Sequence, residues 1–220
     1  MVELLPYDGV GGTTPTILDV SELDVAPDGA PLVLADNGLW RVSADGSAHR
    51  VFSEGVARSV AGASSAGTWL WRDVAACPSG DAYVAAWWRA GNNDERSLVF
   101  RLRPLGAAAL VAHSRDASSG LEDSPDGMNA LAGTPRFGDV VRLACGQDDA
   151  LFLATTAAQD HAVRRLLPDG TLLRVAGVGG ALPGKPGAPN ATPEVAPAKS
   201  VRLSLREARG FVYETGDVAF

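Results

Sequence analysis

A hairpin pattern that recurs along the chain is the feature that most limits what this protein can fold into. Its clearest copy is HAVRRLLPDGTLLRVAGVGG (161–180), in which Pro-Asp-Gly joins two short apolar runs and the second run ends in glycines. Alternating apolar and polar residues between turns rich in Gly, Asp and Pro are typical of β-hairpins. The same run-turn-run pattern returns in GLWRVSADGSAHRVFS (38–53) and LVFRLRPLGAAALVAH (98–113).

Each of these hairpins follows another hairpin, so the repeating unit contains four consecutive strands, which we name a to d. The preceding hairpins are LDVAPDGAPLVLAD (23–36), RDVAACPSGDAYVAAW (72–87) and VRLACGQDDALFLATT (141–156). The pattern therefore predicts an all-β protein built from four-stranded antiparallel units. The approximate bounds of these units are 17–53, 69–113 and 138–176, followed by an incomplete unit at 200–220.

The last unit, SVRLSLREARGFVYETGDVAF, has no strand d. The chain begins with VELLPYDGVGG, which resembles the end of a unit because TLLRVAGVGG also runs from apolar residues into glycines. We predict that residues 2–5 supply the missing strand and pair with residues 216–220. Such closure removes an exposed sheet edge and makes residues 1–220 a single domain.

The repeats resemble those of NHL-repeat β-propellers. The segments that carry the resemblance are VRRLLPDGTLLRVAG (163–177), GVGGALPGKPGAPNATPEVAPAKSVRLSL (177–205) and GDAYVAAWW (80–88). The resemblance implies a β-propeller, and the count of units predicts a four-bladed β-propeller whose last blade is closed by the N-terminal strand. An eight-bladed ring shared by two chains is the alternative, but the divided last blade favours a monomer.

Loops on the two faces of such a ring differ in length, because the chain reverses direction at every hairpin. The a-to-b and c-to-d turns are tight and share one face: 27–29, 44–46, 78–80, 104–106 and 168–170. The other face carries the long loops 54–68, 88–97, 114–137 and 178–199. Long loops usually carry function or lack order, so this loop-rich face is the predicted binding surface. No segment sustains a helical apolar period, and any helix is expected to be a single turn in a loop.

The segment AWWRAGNNDERS (86–97) holds most of the candidate binding residues. Trp and Arg side chains dominate many interfaces because they bury large areas and keep a polar group. Two further tryptophans precede strand a of the same unit and extend the predicted aromatic patch. The alternative is that the tryptophans pack between blades. The predicted residues that bind a ligand or partner are Trp69, Trp71, Trp87, Trp88, Arg89, Asn92 and Asn93.

Motifs for catalysis or cofactor binding are weak. GGALPGK (179–185) matches the start of a phosphate-binding P-loop, but Pro186 stands where a hydroxyl residue should contact Mg²⁺. His49, His113 and His161 lack the paired spacing of a zinc site. We therefore expect no cofactor and no bound metal.

An enzyme is the rival hypothesis, because lactonase-type propeller hydrolases hold a metal in the central channel. Asp24, Asp73 and Asp139 lie near the starts of strands a, which are the innermost strands of such a propeller. Their carboxylates would be the candidate ligands for that metal. They do not align at one position within the repeats. The sequence therefore favours a non-enzymatic module that binds a protein or a small ligand, as a sensor or interaction domain of a larger bacterial-like protein.

Charge and cysteine content bear on partners and compartment. A net charge of −7 argues against a nucleic-acid partner, because Lys and Arg supply most of that affinity. Cys77 and Cys145 are too few for a disulfide framework, and each follows an alternating apolar segment, so both are expected to be small buried core residues. No signal-like leader and no apolar run of about 20 residues is present, so we expect a cytoplasmic protein or domain without membrane contact.

Overall fold

The computed structural model describes residues 2–3, 19–90, 94–104, 106–115, 127–132, 135–156 and 161–177. Within these ranges the chain forms one helix and three antiparallel sheets, which we call sheets I, II and III. The all-β prediction is confirmed at this level. No helix in the described ranges has the length and apolar character of a membrane span.

Each sheet is a meander of hairpins with four main strands. Two short strands, β1 (Val2–Glu3) and β10 (Met128–Asn129), lie outside these meanders. Sheet I consists of β2 (Val20–Val25), β3 (Pro31–Ala35), β4 (Gly38–Val42) and β5 (Ala48–Ser53). Sheet II contains β6 (Thr68–Ala76), β7 (Ala82–Ala90), β8 (Asp94–Leu102) and β9 (Ala107–Arg115). Sheet III contains β11 (Asp139–Cys145), β12 (Leu151–Thr156), β13 (His161–Leu166) and β14 (Thr171–Ala176).

The hairpins predicted for the first three units are therefore confirmed, with strands a to d in the expected order. The incomplete unit at 200–220 lies outside the described residues. The sheets pack face to face in sequence, sheet I on sheet II and sheet II on sheet III. Phe52 and Phe100 belong to the first of these cores, and Val99 and Val140 belong to the second.

The two short strands occupy outer sheet edges. β1 pairs with β9, with Val2 opposite Ala108, and β10 pairs with β14, with Met128 opposite Leu172. The prediction that the N-terminal strand pairs with the last unit is wrong for β1. The physical reason is that the outer strand of sheet II offers a free row of backbone donors and acceptors, which β1 takes. Residues 4–5 and 216–220 lie outside the described residues.

One of the predicted long loops is mostly strand. β7 runs to Ala90 and β8 begins at Asp94, so the described residues of 88–97 belong to the strands of a long hairpin and not to a loop. Side-chain contacts across this hairpin explain its length, since Trp88 pairs with Arg96 in register and the guanidinium lies 4.9 Å from the centre of the indole ring. The loop-rich face is accordingly smaller than predicted in the described chain.

A helix, α1 (Glu54–Ala61), occupies the loop between sheets I and II. It is longer than the single turn that was expected. Its ends have ordinary helix signals: the Ser53 hydroxyl accepts the Val56 N–H at 3.3 Å, and Gly62 closes the helix with a left-handed φ of 61°. The helix is too short to show a sustained apolar period, so the sequence pattern does not predict it.

The predicted tight turns are present. In the c-to-d turn of sheet III, Gly170 has a φ of 84° and its N–H bonds to Leu167 O at 2.9 Å. Glycine adopts this conformation without steric cost. In the a-to-b turn of the same sheet, Asp149 takes the corresponding place with a φ of 61°, and its N–H bonds to Gly146 O at 3.0 Å.

The cysteines are paired, which corrects the expectation of separate core residues. Cys77, directly after β6, and Cys145, at the end of β11, form a disulfide with a Cα–Cα distance of 5.2 Å. They are 68 positions apart in the chain. They belong to sheets II and III, whose strands a, β6 and β11, lie side by side. The pairing is a consequence of sheet packing, which residue spacing does not reveal.

Candidate functional site

Most of the predicted aromatic patch is part of the core between sheets I and II. Trp71 and Trp88 are 8% and 2% exposed. Trp69 packs edge-on against Trp71, with ring centroids 5.3 Å apart, and Phe52 and Phe100 complete the cluster. These three tryptophans therefore join two sheets, which is the packing alternative that the sequence left open.

The remaining predicted residues lie apart from this cluster. Trp87 projects from the opposite face of β7 and is half-buried, with the Arg72 guanidinium 5.9 Å from its ring centre. Arg89 is exposed, and its Nε lies 3.2 Å from Glu95 Oε1. Residues 92–93 lie outside the described ranges. A binding role for this set stays a prediction.

A cavity of about 390 Å³ lies between the inner strands of the three sheets. β2, β6 and β11 are the strands a of sheets I, II and III, and each has a β-bulge at the same point of its pairing with strand b. The residue that follows the bulge is Glu22 in β2, Asp73 in β6 and Arg142 in β11. All three line the cavity.

A shared position in the repeats would have identified this set from the sequence. In each repeat, one residue of this set stands the same number of positions before the residue whose N–H closes the a-to-b turn. These residues are Glu22, Asp73 and Arg142. The carboxylates considered for a channel metal, Asp24, Asp73 and Asp139, do not stand at equivalent positions. Aligning the repeats on the turn, whatever the residue type, is the signal that was missed.

Glu22 and Arg142 form an ion pair beside the cavity. Arg142 Nη1 lies 2.6 Å from Glu22 Oε1. The Arg142 side chain is 23% exposed and the Glu22 side chain is 27% exposed. The pair connects β2 to β11, the strands that lie on either side of β6. Partial burial makes the attraction stronger than in a fully solvated surface pair. The cavity thus has charges of both signs.

Aspartate side chains form hydrogen bonds that connect each described inner strand to the next. Asp24 Oδ2 accepts the N–H of Ala76 in β6 at 2.6 Å, and Asp73 Oδ2 accepts the N–H of Leu143 in β11. The Oδ1 atom of each aspartate accepts the N–H of the following residue, at 2.7 Å and 2.9 Å. Hydrogen bonds to a charged acceptor are stronger than neutral ones. These carboxyl groups therefore set the spacing of the strands that carry the site.

Burial raises the pKa of Asp73 to about 7. Desolvation is the main cause, since this residue is 6% exposed, and the nearby Glu22 carboxylate acts in the same direction. The Leu143 N–H and the Arg142 guanidinium oppose the rise without cancelling it. A carboxyl group that titrates near neutral pH in a cleft marks a candidate functional site.

The group of possible metal ligands in the described chain lies where β6 and β11 enter their turns, and one of its members, Cys145, also lines the cavity. Cys77, Cys145 and Asp149 have ligand atoms within 4.8 Å of one another. The three aspartates of the lactonase-type hypothesis form no such group among the described residues. One of them, Asp139, has its Oδ2 3.7 Å from Arg72 Nη2.

Comparison with known proteins adds little to this picture. No known family profile and no curated protein matches the chain. Among solved structures, it is similar to a protein of unknown function from Bacteroides caccae, with 15% identity, a TM-score of 0.39, and coverage of 76% of this chain and 47% of that one. It is also similar to regucalcin, a calcium-binding protein from Agrobacterium tumefaciens, with 16% identity, a TM-score of 0.35, and coverage of 72% and 61%. The chain thus spans less than two thirds of the length of either protein.

Proposed function

We propose that the chain is a non-enzymatic binding module that holds a small polar ligand in the inner-strand cavity. The observation that carries this proposal is that Glu22, Asp73 and Arg142 occupy one position on three neighbouring inner strands and line one cavity of about 390 Å³. This volume falls in the range of small-molecule sites, about 300–1,000 Å³.

The charges in the cavity favour a ligand that carries both signs. The Arg142 guanidinium suits a carboxylate, which it can bind through two parallel hydrogen bonds. Glu22 and Asp73 supply acceptors for an ammonium group. A free amino acid has both groups, and its binding replaces the Glu22–Arg142 pair by two pairs with the ligand. No charge is then left buried without a partner.

Calorimetry and thermal shift with the free proteinogenic amino acids test the proposal. We expect at least one of them to bind the wild-type protein and raise its Tm. Glu22→Gln and Arg142→Gln should each weaken that binding about tenfold or more, because each removes a charged side chain that pairs with the ligand. Arg165→Gln is the matched control, since Arg165 pairs with the exposed Asp148 in sheet III, 2.9 Å away, and does not line this cavity.

Two results would contradict the proposal. One is that no amino acid binds the wild-type protein. The other is that Arg142→Gln binds as tightly as Arg165→Gln.

Together with the ligand site, we propose that the three sheets are blades of a closed ring. Inner strands β2, β6 and β11 lie side by side as in a β-propeller, with residues 200–220 as the candidate fourth blade. Leu23 and Val25 support this arrangement, because they project from the inner strand of sheet I and are 63% and 54% exposed. A further inner strand would bury these two apolar side chains, and removing apolar surface from water is favourable.

Partner recognition by the loop-rich face is the second candidate function. It is favoured by the exposed Arg89 near the tip of the β7–β8 hairpin, whose partner Glu95 is only 16% exposed. In a pull-down with the intact chain, Arg89→Ala should reduce capture of a partner without changing amino-acid binding. Trp88 is left unchanged in this test because its replacement would damage the core.

A further inference from the structure

Two sulfurs and a carboxylate meet where the inner strands of sheets II and III enter their tight turns. Cys77 and Cys145 join the two sheets, and a carboxylate oxygen of Asp149 lies within 4.8 Å of both sulfurs. Cys77 is 1% exposed, whereas Asp149 is exposed at the surface. The group therefore has one buried side and one side open to solvent.

Asp149 is held in place by its backbone and by a neighbouring turn. It has a φ of 61°, where the equivalent turn positions of sheets I and II are Gly29 and Gly80. A non-glycine residue in this conformation costs about 1–2 kcal/mol. Its Oδ1 accepts the Ser79 N–H at 2.8 Å, which fixes the carboxyl group beside the sulfurs. A carboxylate has a second oxygen to offer to a cation.

We propose that Cys77, Cys145 and Asp149 form a redox-gated site for a thiophilic divalent cation such as Zn²⁺. Zinc takes thiolate sulfur at about 2.3 Å and carboxylate oxygen at about 2.0–2.2 Å in tetrahedral geometry, which places two thiolates about 3.7 Å apart. Cysteines whose Cα atoms are 5.2 Å apart reach that separation by rotating their side chains. Water completes the fourth position.

The disulfide and the metal site exclude each other. A dithiol reductant transfers two electrons and two protons to the disulfide, and is itself oxidised to a cyclic disulfide, leaving two protein thiols. The cation then displaces both thiol protons into solvent and takes the sulfurs as thiolates. The oxidised protein has no thiolate to offer. Metal affinity therefore depends on the redox state of the surroundings. This inference does not rest on the ligand proposed above, although Cys145 also lines the inner-strand cavity.

Titration with Co²⁺ as a spectroscopic probe for zinc tests the site. The protein is reduced with a dithiol, freed of reductant without air, and checked by circular dichroism for retained β structure. We expect one Co²⁺ per chain, with thiolate-to-cobalt absorption that added Zn²⁺ removes, and no such signal from the oxidised protein. Asp149→Asn should weaken binding about tenfold or more, whereas Asp148→Asn, at the neighbouring exposed position, should not.

Three results would overturn the proposal. The first is a reduced wild-type protein that binds Co²⁺ no better than the Cys77→Ser/Cys145→Ser variant. The second is equal affinity of the Asp149→Asn and Asp148→Asn variants. The third is loss of the fold on reduction, because the site then has no scaffold. None of these measurements uses an amino acid, so failure here is distinguishable from failure of the ligand proposal.

Discussion

Asp73 combines a structural task with titration near neutral pH. Its carboxyl group bonds the inner strand of sheet III through the Leu143 N–H, and burial raises its pKa from 3.8 to about 7. In the unfolded chain the same group ionises near its ordinary pKa. The folded protein therefore binds an extra proton between these two pKa values, and ionising Asp73 in the fold has a free-energy cost on the order of 4 kcal/mol.

The first prediction concerns this proton. Because the folded pKa is raised, the contribution of Asp73 to the unfolding free energy is fully present below about pH 4 and is lost as the pH rises to about 7. Urea unfolding of the wild type and of Asp73→Asn between pH 4 and 8 should show the wild type losing stability relative to the variant. A difference between the two proteins that stays constant over this range would contradict the assignment.

At the scale of one element, helix α1 orders the connection between sheets I and II. Arg58 donates to Glu54 Oε1 at 2.6 Å, to Ser64 O at 2.7 Å and to Gly67 O at 3.1 Å. Its guanidinium also lies 5.2 Å from the ring centre of Trp69. One side chain thus ties the helix, the following loop and the core together.

Replacing Arg58 by Ala should lower the free energy of unfolding by about 1–3 kcal/mol, because charge-assisted bonds and a cation–π contact are lost. Hydrogen exchange should become faster in residues 62–67. Arg50→Ala is the control, since Arg50 also lies over a tryptophan, at 5.8 Å from the Trp40 ring, but is exposed. Equal stability of the two variants would show that Arg58 is not an anchor.

At the scale of the whole molecule, the disulfide is one of several links between sheets II and III. It closes a long loop of chain, with a sequence separation of 68, and therefore lowers the conformational entropy of the unfolded state. The apolar core that includes Val99 and Val140 and the Asp73–Leu143 bond connect the same sheets. Sheet packing therefore does not depend on the disulfide alone.

The Cys77→Ser/Cys145→Ser variant should consequently remain folded but lose about 2–4 kcal/mol of unfolding free energy. Thermal and urea unfolding of the wild type with and without a dithiol, beside the variant, measure this loss. Reductant should leave the variant unchanged. A variant as stable as the oxidised wild type would show that the link adds nothing to the fold.

The local sequence pattern was sufficient to predict that hairpins form, but insufficient to predict features that depend on side-chain contacts between strands or between sheets. Gly170 and the alternation around it predicted a turn and two strands, because backbone conformation there depends on neighbouring residues. The length of the β7–β8 hairpin was missed, since Trp88 and Arg96 extend it through a cross-strand contact. The sequence does not predict the burial of Trp69, Trp71 and Trp88, because an indole suits a core and an interface equally well.

The sequence by itself determined the β class, the four-strand unit and the tight turns, because period-2 alternation and turn residues act over a few positions. Tertiary structure alone decided which residues meet. Glu22, Asp73 and Arg142 come from three repeats, and they reach one cavity only because the inner strands pack side by side. The pairing of Cys77 with Cys145 has the same origin, since residues far apart in the chain become neighbours through the packing of whole sheets.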